Sequence, residues 1–269
     1  MEKLQLSEIA AAVGGTAPFE AEVNDICTDT RKLEAGCLFL ALRGANFDGH
    51  QFVQKAISDG AVAAVTDHPI ADFPCIVVPD TGTALLQIAA YYRRKFSPIL
   101  VGVTGSVGKT TTKEMIALVL SAAFETLKTQ GNLNNEIGLP KMLLHLAPKH
   151  KAAVIEMGMS HLGEIHRLSC ATQPTIGVIT NIGFSHIENL GSQEGILKAK
   201  MEILDGMEPD APLVLNADDP HLAPFVEQLD RPVYTYGLET KTADVTAEEV
   251  QEGDNETTFT IVTKDSKIG

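Results

Sequence analysis

The chain has 269 residues, 44 % of them hydrophobic, enough for one large domain or two ordinary ones. Its formal charge of −14 argues against a nucleic-acid partner, whose phosphates need a basic face, yet leaves room for a small phosphorylated ligand in a local positive site. The acidic excess otherwise reads as a solvated surface. No apolar run is long enough to span a bilayer, and the opening residues show no signal-peptide pattern. Cys27, Cys37, Cys75 and Cys170 lack metal or redox spacing and read as reduced core thiols, so a cytoplasmic setting is expected.

In chain order, residues 5–13 read as a helix stopped by Gly14-Gly15. Residues 37–42 form an apolar strand, 44–49 a loop with little local preference, 52–58 a helix, and 61–66 and 75–78 two further strands. This is a small α/β module. Residues 79–83 look like a boundary, with Thr83 starting a helix over 84–96. From residue 99 strands and helices alternate, with strands expected at 99–103, 152–156, 176–180 and 212–216. That pattern predicts a mostly parallel, doubly wound sheet, with ligands gathering at the C-terminal strand ends. The expected division is a module over 1–80 and a larger domain over 81–269. A last strand at 259–263 closes no domain, so the chain reads as a piece of a longer protein.

The most informative stretch is Gly102-Val103-Thr104-Gly105-Ser106-Val107-Gly108-Lys109-Thr110-Thr111-Thr112. It lies between the apolar run Ile99-Leu100-Val101 and an expected helix over 113–120. A strand, a glycine-rich turn and a helix N-terminus together make an anion site, because backbone N–H groups and the positive end of the helix dipole converge on a phosphate. Lys109 would reach the outer phosphates, and the Thr110 hydroxyl would bind Mg²⁺. Five residues rather than four separate Gly102 from Gly108, so the spacing is not the strict phosphate-loop pattern. A glycine turn capping a helix would explain the glycines but not Lys109 beside Thr110.

Three further positions could carry chemistry. Glu156 ends an apolar strand and is a natural Mg²⁺ ligand if a phosphate loop lies nearby; otherwise it is a solvent-facing charge. His186 follows the strand end Thr180-Asn181 and reads equally well as a ligand or as a structural residue. Lys200 shares a helix face with Ile196, Ile203, Leu204 and Met207, whereas Lys198 lies with Glu194, Glu202 and Asp205. Lys200 is therefore expected to lean inward, where a desolvated amine becomes more nucleophilic and can take up CO₂ as a carbamate; snorkelling to the surface is the plainer alternative. In the first module, Thr28-Asp29-Thr30-Arg31 and Gly44-Ala45-Asn46-Phe47-Asp48-Gly49-His50 flank one strand, as phosphate-gripping loops or as simple turns. The polar loop 131–140 could bind substrate or only cap a helix.

Together these stretches resemble the Mur amino-acid and peptide ligases. The carriers are the phosphate loop with Lys113-Glu114, Asn134-Asn135-Glu136-Ile137-Gly138-Leu139-Pro140, Ile155-Glu156-Met157-Gly158, Thr180-Asn181-Ile182-Gly183 with His186, and Ala199-Lys200-Met201-Glu202-Ile203. The first-module pair Asp29-Thr30-Arg31 and Phe47-Asp48-Gly49-His50 resembles the family's uridine-nucleotide module, with Thr30 where many relatives show serine. The subgroup resembled adds a dipeptide. The resemblance implies ATP and Mg²⁺ at two sites, with UDP-N-acetylmuramoyl-tripeptide and D-alanyl-D-alanine as substrates of a monomeric enzyme in peptidoglycan synthesis. It implies nucleotide contacts from Gly105, Ser106, Val107, Gly108, Lys109, Thr110 and Thr111. It implies metal contacts from Thr110, Glu156, His186 and a carbamate on Lys200, with Lys109, Lys200 and His186 catalytic. Substrate contacts would come from Thr30, Arg31, Asn46, Asp48, His50, Asn134 and Asn135. The family's third domain is expected to be missing, so turnover by this chain alone is not expected. Two alternatives stay open: a sibling that adds a single amino acid, or a glutamate to a folate, and a non-catalytic nucleotide-binding module.

Overall fold

A computed structural model describes residues 1–44, 47–254 and 256–268. The chain divides into two compact units, one made of Met1–Pro98 with Thr129–Lys151 and the other of Ile99–Lys128 with Ala152–Gly269.

In the first unit β1 (Leu4–Gln5) pairs antiparallel with β2 (Glu22–Val23), and α1 (Leu6–Ala12) lies between them in sequence. The Gln5 amide donates to Glu8 Oε2 (2.8 Å), which fixes the start of α1. A four-stranded parallel sheet runs β3 (Ile26–Cys27), β4 (Leu38–Leu40), β7 (Ala63–Thr66) and β8 (Cys75–Val77). Its core joins Cys27, Cys37, Phe39 and Ala64 to Val53 and Ala56 of α2 (Val53–Ser58). All four cysteines are free thiols. The stretch around residues 44–49, expected to be a loop, contains a short antiparallel ribbon of β5 (Arg43–Gly44) and β6 (Phe47–Asp48). Asn46 lies outside the described residues.

The expected boundary near residue 80 shifts to Pro98, and the reason is packing. Helix α3 (Thr81–Arg93) starts earlier than expected, because the Asp80 carboxylate accepts from the Thr83 amide (2.6 Å) and serves as the N-cap in place of Thr83. Its apolar face buries Leu85, Ile88, Ala89 and Tyr92 in the first unit. The Tyr92 hydroxyl donates to the Leu146 carbonyl and accepts from the Glu2 amide, both at 2.7 Å. That pair explains why residues 129–151 return to this unit. Lys95 and Tyr91 both donate to Glu8 Oε1 at 2.7 Å, tying α3 to α1.

The second unit is built on nine strands in the order β10-β11-β9-β12-β13-β14-β15-β16-β17. These are β9 (Ile99–Thr104), β10 (Thr126–Lys128), β11 (Ala152–Glu156), β12 (Ile176–Ile179), β13 (Leu213–Asn216), β14 (Val233–Gly237), β15 (Val245–Glu252), β16 (Thr257–Thr263) and β17 (Lys267–Ile268). Pairing is parallel from β10 through β15 and antiparallel from β15 to β17. The four expected parallel strands are present within a residue at either end, and the fold is mixed α/β with a mostly parallel sheet. Strands β10, β14, β15 and β17 were not anticipated. β10 and β17 are short, β15 is largely exposed, and β14 mixes polar and glycine residues with its apolar ones, so none carries the apolar run that marks a buried parallel strand. Val101, Val103, Val154 and Val178 pack against Ala117, Ile116 and Leu120 of α4 (Lys109–Ser121). Each such buried aliphatic contributes roughly 1.5–3 kcal/mol.

Register places the ends of three strands side by side. Glu156 pairs with Val103, and Ile179 pairs with Thr104, so β11 and β12 finish on either side of the end of β9. A chain that leaves one flank of β9 and resumes on the other opens a crevice there.

Two outcomes test this packing. Tyr92→Phe removes a buried hydroxyl with two partners and should cost about 1–2 kcal/mol in urea unfolding; an unchanged midpoint rules out the proposed tie to residues 129–151. Lys95, together with the Gln5 amide and Tyr91, holds the Glu8 carboxyl down at about 2, below its ordinary 4.5. A depressed carboxyl stabilises above its unfolded value and loses that contribution as pH falls through the folded one. Glu8→Gln should therefore lower Tm at neutral pH, and the difference from wild type should close between about pH 4.5 and 2.

Candidate active site

The site grows from the end of β9. Gly105 sits at φ +149°, and a Cβ there would lie 1.9 Å from Thr180 Oγ1, so only glycine fits. Gly108 is left-handed at φ +81° and hands the chain into α4, whose first-turn amides have no partner within the helix. Thus the expected glycine turn and helix start are present, and the helix opens at Lys109, earlier than the expected 113. Ser106 is buried, whereas Val107, Thr110 and Thr111 are exposed at the rim.

Lys109 curls over its own loop, with Nζ donating to the Gly105 carbonyl (2.9 Å) and the Ser106 carbonyl (3.2 Å). Burial lowers its pKa, and the negative charge of Glu156 works in the opposite direction. Glu156 is only 2 % exposed, so it is not a solvent-facing strand-end charge. Its Oε2 accepts from the Thr110 hydroxyl at 2.9 Å. A hydroxyl and a carboxylate thus stand together at the mouth of a phosphate loop. Both are hard oxygen donors, the kind Mg²⁺ selects, so the donor set fits that ion.

Lys200 lies on the helix Gln193–Met201, which starts at Ser192 with its hydroxyl accepting from the Gly195 amide (3.2 Å). The expected facing is observed: Lys200 is 2 % exposed among buried Ile196, Ala199 and Ile203, while Lys198 is exposed. Burial pushes the Lys200 amine down to about 7, and the positive charge of Lys109 pushes it the same way. Lys109, Glu156 and Lys200 therefore share one electrostatic neighbourhood. His186 is half-buried, takes the left-handed φ of +64° and precedes the short helix Ile187–Leu190.

The loop carrying His186 is laced to the phosphate loop. Gly183 N donates to Ser106 Oγ (2.8 Å), Ser106 N to the Asn181 carbonyl (3.0 Å), and Thr180 Oγ1 to the Val107 carbonyl (2.7 Å). Asp219 Oδ2 accepts from Ile182 N (2.7 Å), while its Oδ1 accepts from His221 and Leu222. Asn181 was read only as the start of the polar run at a strand end that leads to His186, and Asp219 escaped the reading. The polar run Asn216-Ala217-Asp218-Asp219 past a strand end was the available signal, since the strand-end rule that marks Glu156 applies there too.

The first unit holds a separate cavity of about 500 Å³, lined by Thr28, Asp29, Thr30, Arg31, Phe39 and Phe52, among others. Arg31 donates to both carboxylate oxygens of Asp29 (2.9 and 2.7 Å), which keeps the Asp29 carboxyl far below its usual range. Phe47 and Phe52 stack at 5.7 Å, and Lys141 also reaches the cavity. None of those three was singled out from sequence. Two of the expected substrate residues make internal hydrogen bonds. His50 is buried with Nδ1 against Asp48 Oδ1 (2.6 Å) and Nε2 accepting from the Asp67 amide (3.1 Å). Asp48 also accepts from the His50 amide (3.0 Å) and caps the turn Gly49–Phe52. Asn134 is half-buried and Asn135 exposed in the first unit. Asn135 Oδ1 accepts from the amides of Ile137 (3.2 Å) and Gly138 (2.8 Å), closing the turn that leads into the helix Gly138–Leu143. No helix among the described residues is long and apolar enough to cross a membrane.

Comparison with known proteins agrees with this geometry. The profile described as "Mur ligase middle domain" matches residues 103–269, and "Mur ligase family, catalytic domain" matches 22–93. The chain is 48 % identical over 225 residues to a Synechocystis UDP-N-acetylmuramoyl-tripeptide--D-alanyl-D-alanine ligase, covering 82 % of this chain and 50 % of that one. To the Bacillus subtilis ligase of the same name it is 42 % identical, covering 97 % and 58 %. It therefore spans between half and three fifths of the length of such curated relatives. Among solved structures, MurF from Acinetobacter baumannii superposes with a TM-score of 0.93 at 35 % identity, covering 100 % of this chain and 60 % of that one. MurF from Thermotoga maritima, solved in complex with ADP, gives 0.84 at 31 % identity, covering 91 % and 57 %. With a family profile spanning its residues 103–269 and 97 % of its length covered by a relative 42 % identical to it, this chain belongs to the Mur ligase family.

Proposed function

We propose that the chain carries the uridine-substrate and ATP-binding parts of an ATP-dependent ligase that joins D-alanyl-D-alanine to UDP-N-acetylmuramoyl-tripeptide. The reading rests above all on the shared neighbourhood of Lys109, Glu156 and Lys200 beside Thr110. The ADP named for the Thermotoga maritima structure supports a nucleotide at the phosphate loop. The ligase names of the relatives support the substrates. The enzyme works as a cytoplasmic monomer in peptidoglycan precursor synthesis, on which cell shape and division depend.

In the proposed reaction the tripeptide carboxylate attacks the γ-phosphorus of ATP, ADP leaves, and an acyl phosphate forms. The dipeptide amine then attacks the acyl carbon, a tetrahedral intermediate collapses, and phosphate departs with loss of one proton from nitrogen. The first step brings two anions together, so neutralising charge is the main catalytic task. Lys109 meets that need by exchanging its loop carbonyls for phosphate oxygens, alongside the first-turn amides of α4. Thr110 and Glu156 would hold one Mg²⁺ and Glu156, His186 and a Lys200 carbamate a second; bound there, the ions supply further positive charge. Lys200 is suited to the carbamate because burial keeps its amine neutral enough to take up CO₂. In the first unit, Thr30, Arg31 and Lys141 would grip the diphosphate of the uridine substrate, and the Phe47–Phe52 pair would face its base.

Two measurements test this reading. Lys109→Met should abolish the rise in Tm that excess MgATP gives the wild type, about 2.7 kcal/mol of stabilisation at a hundredfold excess over Kd; an equal rise in both proteins removes nucleotide binding from the loop. In a chain carried to the length of its relatives, Lys200→Ala should slow dipeptide-dependent phosphate release about 10²–10³-fold. Short carboxylates should partly restore that rate, and ¹³C-bicarbonate should give a carbamate NMR signal only when Lys200 is present. Full activity of the alanine variant discards the carbamate, and release driven equally well by single amino acids discards the dipeptide.

A further inference from the structure

The Asn181 carboxamide treats Val107 as a strand treats its neighbour. Oδ1 accepts from the Val107 amide at 3.0 Å, and Nδ2 donates to the Val107 carbonyl at 3.1 Å. Thr180 Oγ1 shares that carbonyl, and the Asn181 backbone carbonyl receives Ser106 N. The backbone amide and carbonyl of Val107, at the tip of the phosphate loop, are thereby both paired, although Val107 itself is 62 % exposed.

The segment holding Asn181 is itself fixed from elsewhere. Asp219 Oδ2 takes the Ile182 amide (2.7 Å), Gln193 Nε2 donates to the Ile182 carbonyl (3.2 Å), and the Tyr236 hydroxyl donates to the Thr180 carbonyl (3.3 Å). The rigid partner is therefore the segment after β12, and the exposed glycine-flanked tip is the part being held. A loop containing Gly105 and Gly108, both at positive φ, has many alternatives open to it when free.

We propose that Asn181 is the positioning residue of the phosphate loop. Its clamp keeps the Val107 amide turned away from the anion site and holds the amides from Gly108 to Thr111 convergent on the phosphates of a nucleotide before it arrives. The cost of ordering the loop is then met in folding and not in binding, which strengthens affinity. The same clamp links nucleotide occupancy to the segment that leads into His186. This inference deepens the reading of residues 104–112 as a triphosphate loop and rests on it.

The test uses this chain with MgADP as the probe. Losing a pair of hydrogen bonds at the tip should weaken MgADP binding about tenfold in Asn181→Ala, measured by calorimetry. The Val107 amide should also exchange its hydrogen at least about tenfold faster in the free variant, with β9 and β11 unchanged. A purely fold-stabilising residue would lower Tm without moving the Val107 exchange or the MgADP affinity relative to other variants of equal Tm, and that outcome overturns the proposal. So does a variant that binds MgADP as the wild type does. If Asn181→Ala does not fold, Asn181→Ser is measured in the same way and judged by the same two readouts. Failure of the wild-type chain to bind MgADP would instead sink the nucleotide reading, while the exchange at Val107 would still decide whether Asn181 holds the tip.

Discussion

The alignment of three strand ends is the constraint on which the second unit's chemistry depends. Pairing of Glu156 with Val103 and of Ile179 with Thr104 brings a carboxylate, a phosphate loop and a histidine-bearing segment to one edge. A one-residue slip of β11 would turn Glu156 to the opposite face of the sheet and break its bond to Thr110. Register in turn is set by the valines of β9, β11 and β12, which must all face α4 at once. Packing that is wholly apolar thus fixes the placement of charges several residues away.

At that edge two lysines and a glutamate are kept in poor contact with water. Burying like charges together is costly, and the structure meets the cost in two ways: carbonyls of the loop accept from Lys109, and the Lys200 amine loses its proton readily. Both arrangements suit a site that must accept a highly charged ligand.

Much of this was legible in the sequence because local chemistry and burial coincide there. The strand-loop-helix of residues 99–121, the inward face of Lys200 and the strand-end position of Glu156 follow from periodicity and residue type. The loops of the first unit that were expected to touch substrate were less readable. Asp48 with His50 and Asn135 with Gly138 use side chains that are equally suited to binding a ligand or to closing a turn, and the structure shows them closing turns. Short exposed strands such as β10 and β17 lack an apolar run and depend on a neighbour's edge. Asn181 and Asp219 act across loops, through partners that no spacing rule connects.

The return of residues 129–151 to the first unit interrupts the second between two adjacent strands, β10 and β11. The two compact units are therefore interleaved along the chain. Neither can be excised, swapped with a paralogue or expressed by a single cut, because severing at Pro98 strips the Tyr92 hydroxyl of its Leu146 acceptor. Exchange of modules between sibling chains of this family has to preserve an inserted segment and three splice points, which restricts how they can be recombined.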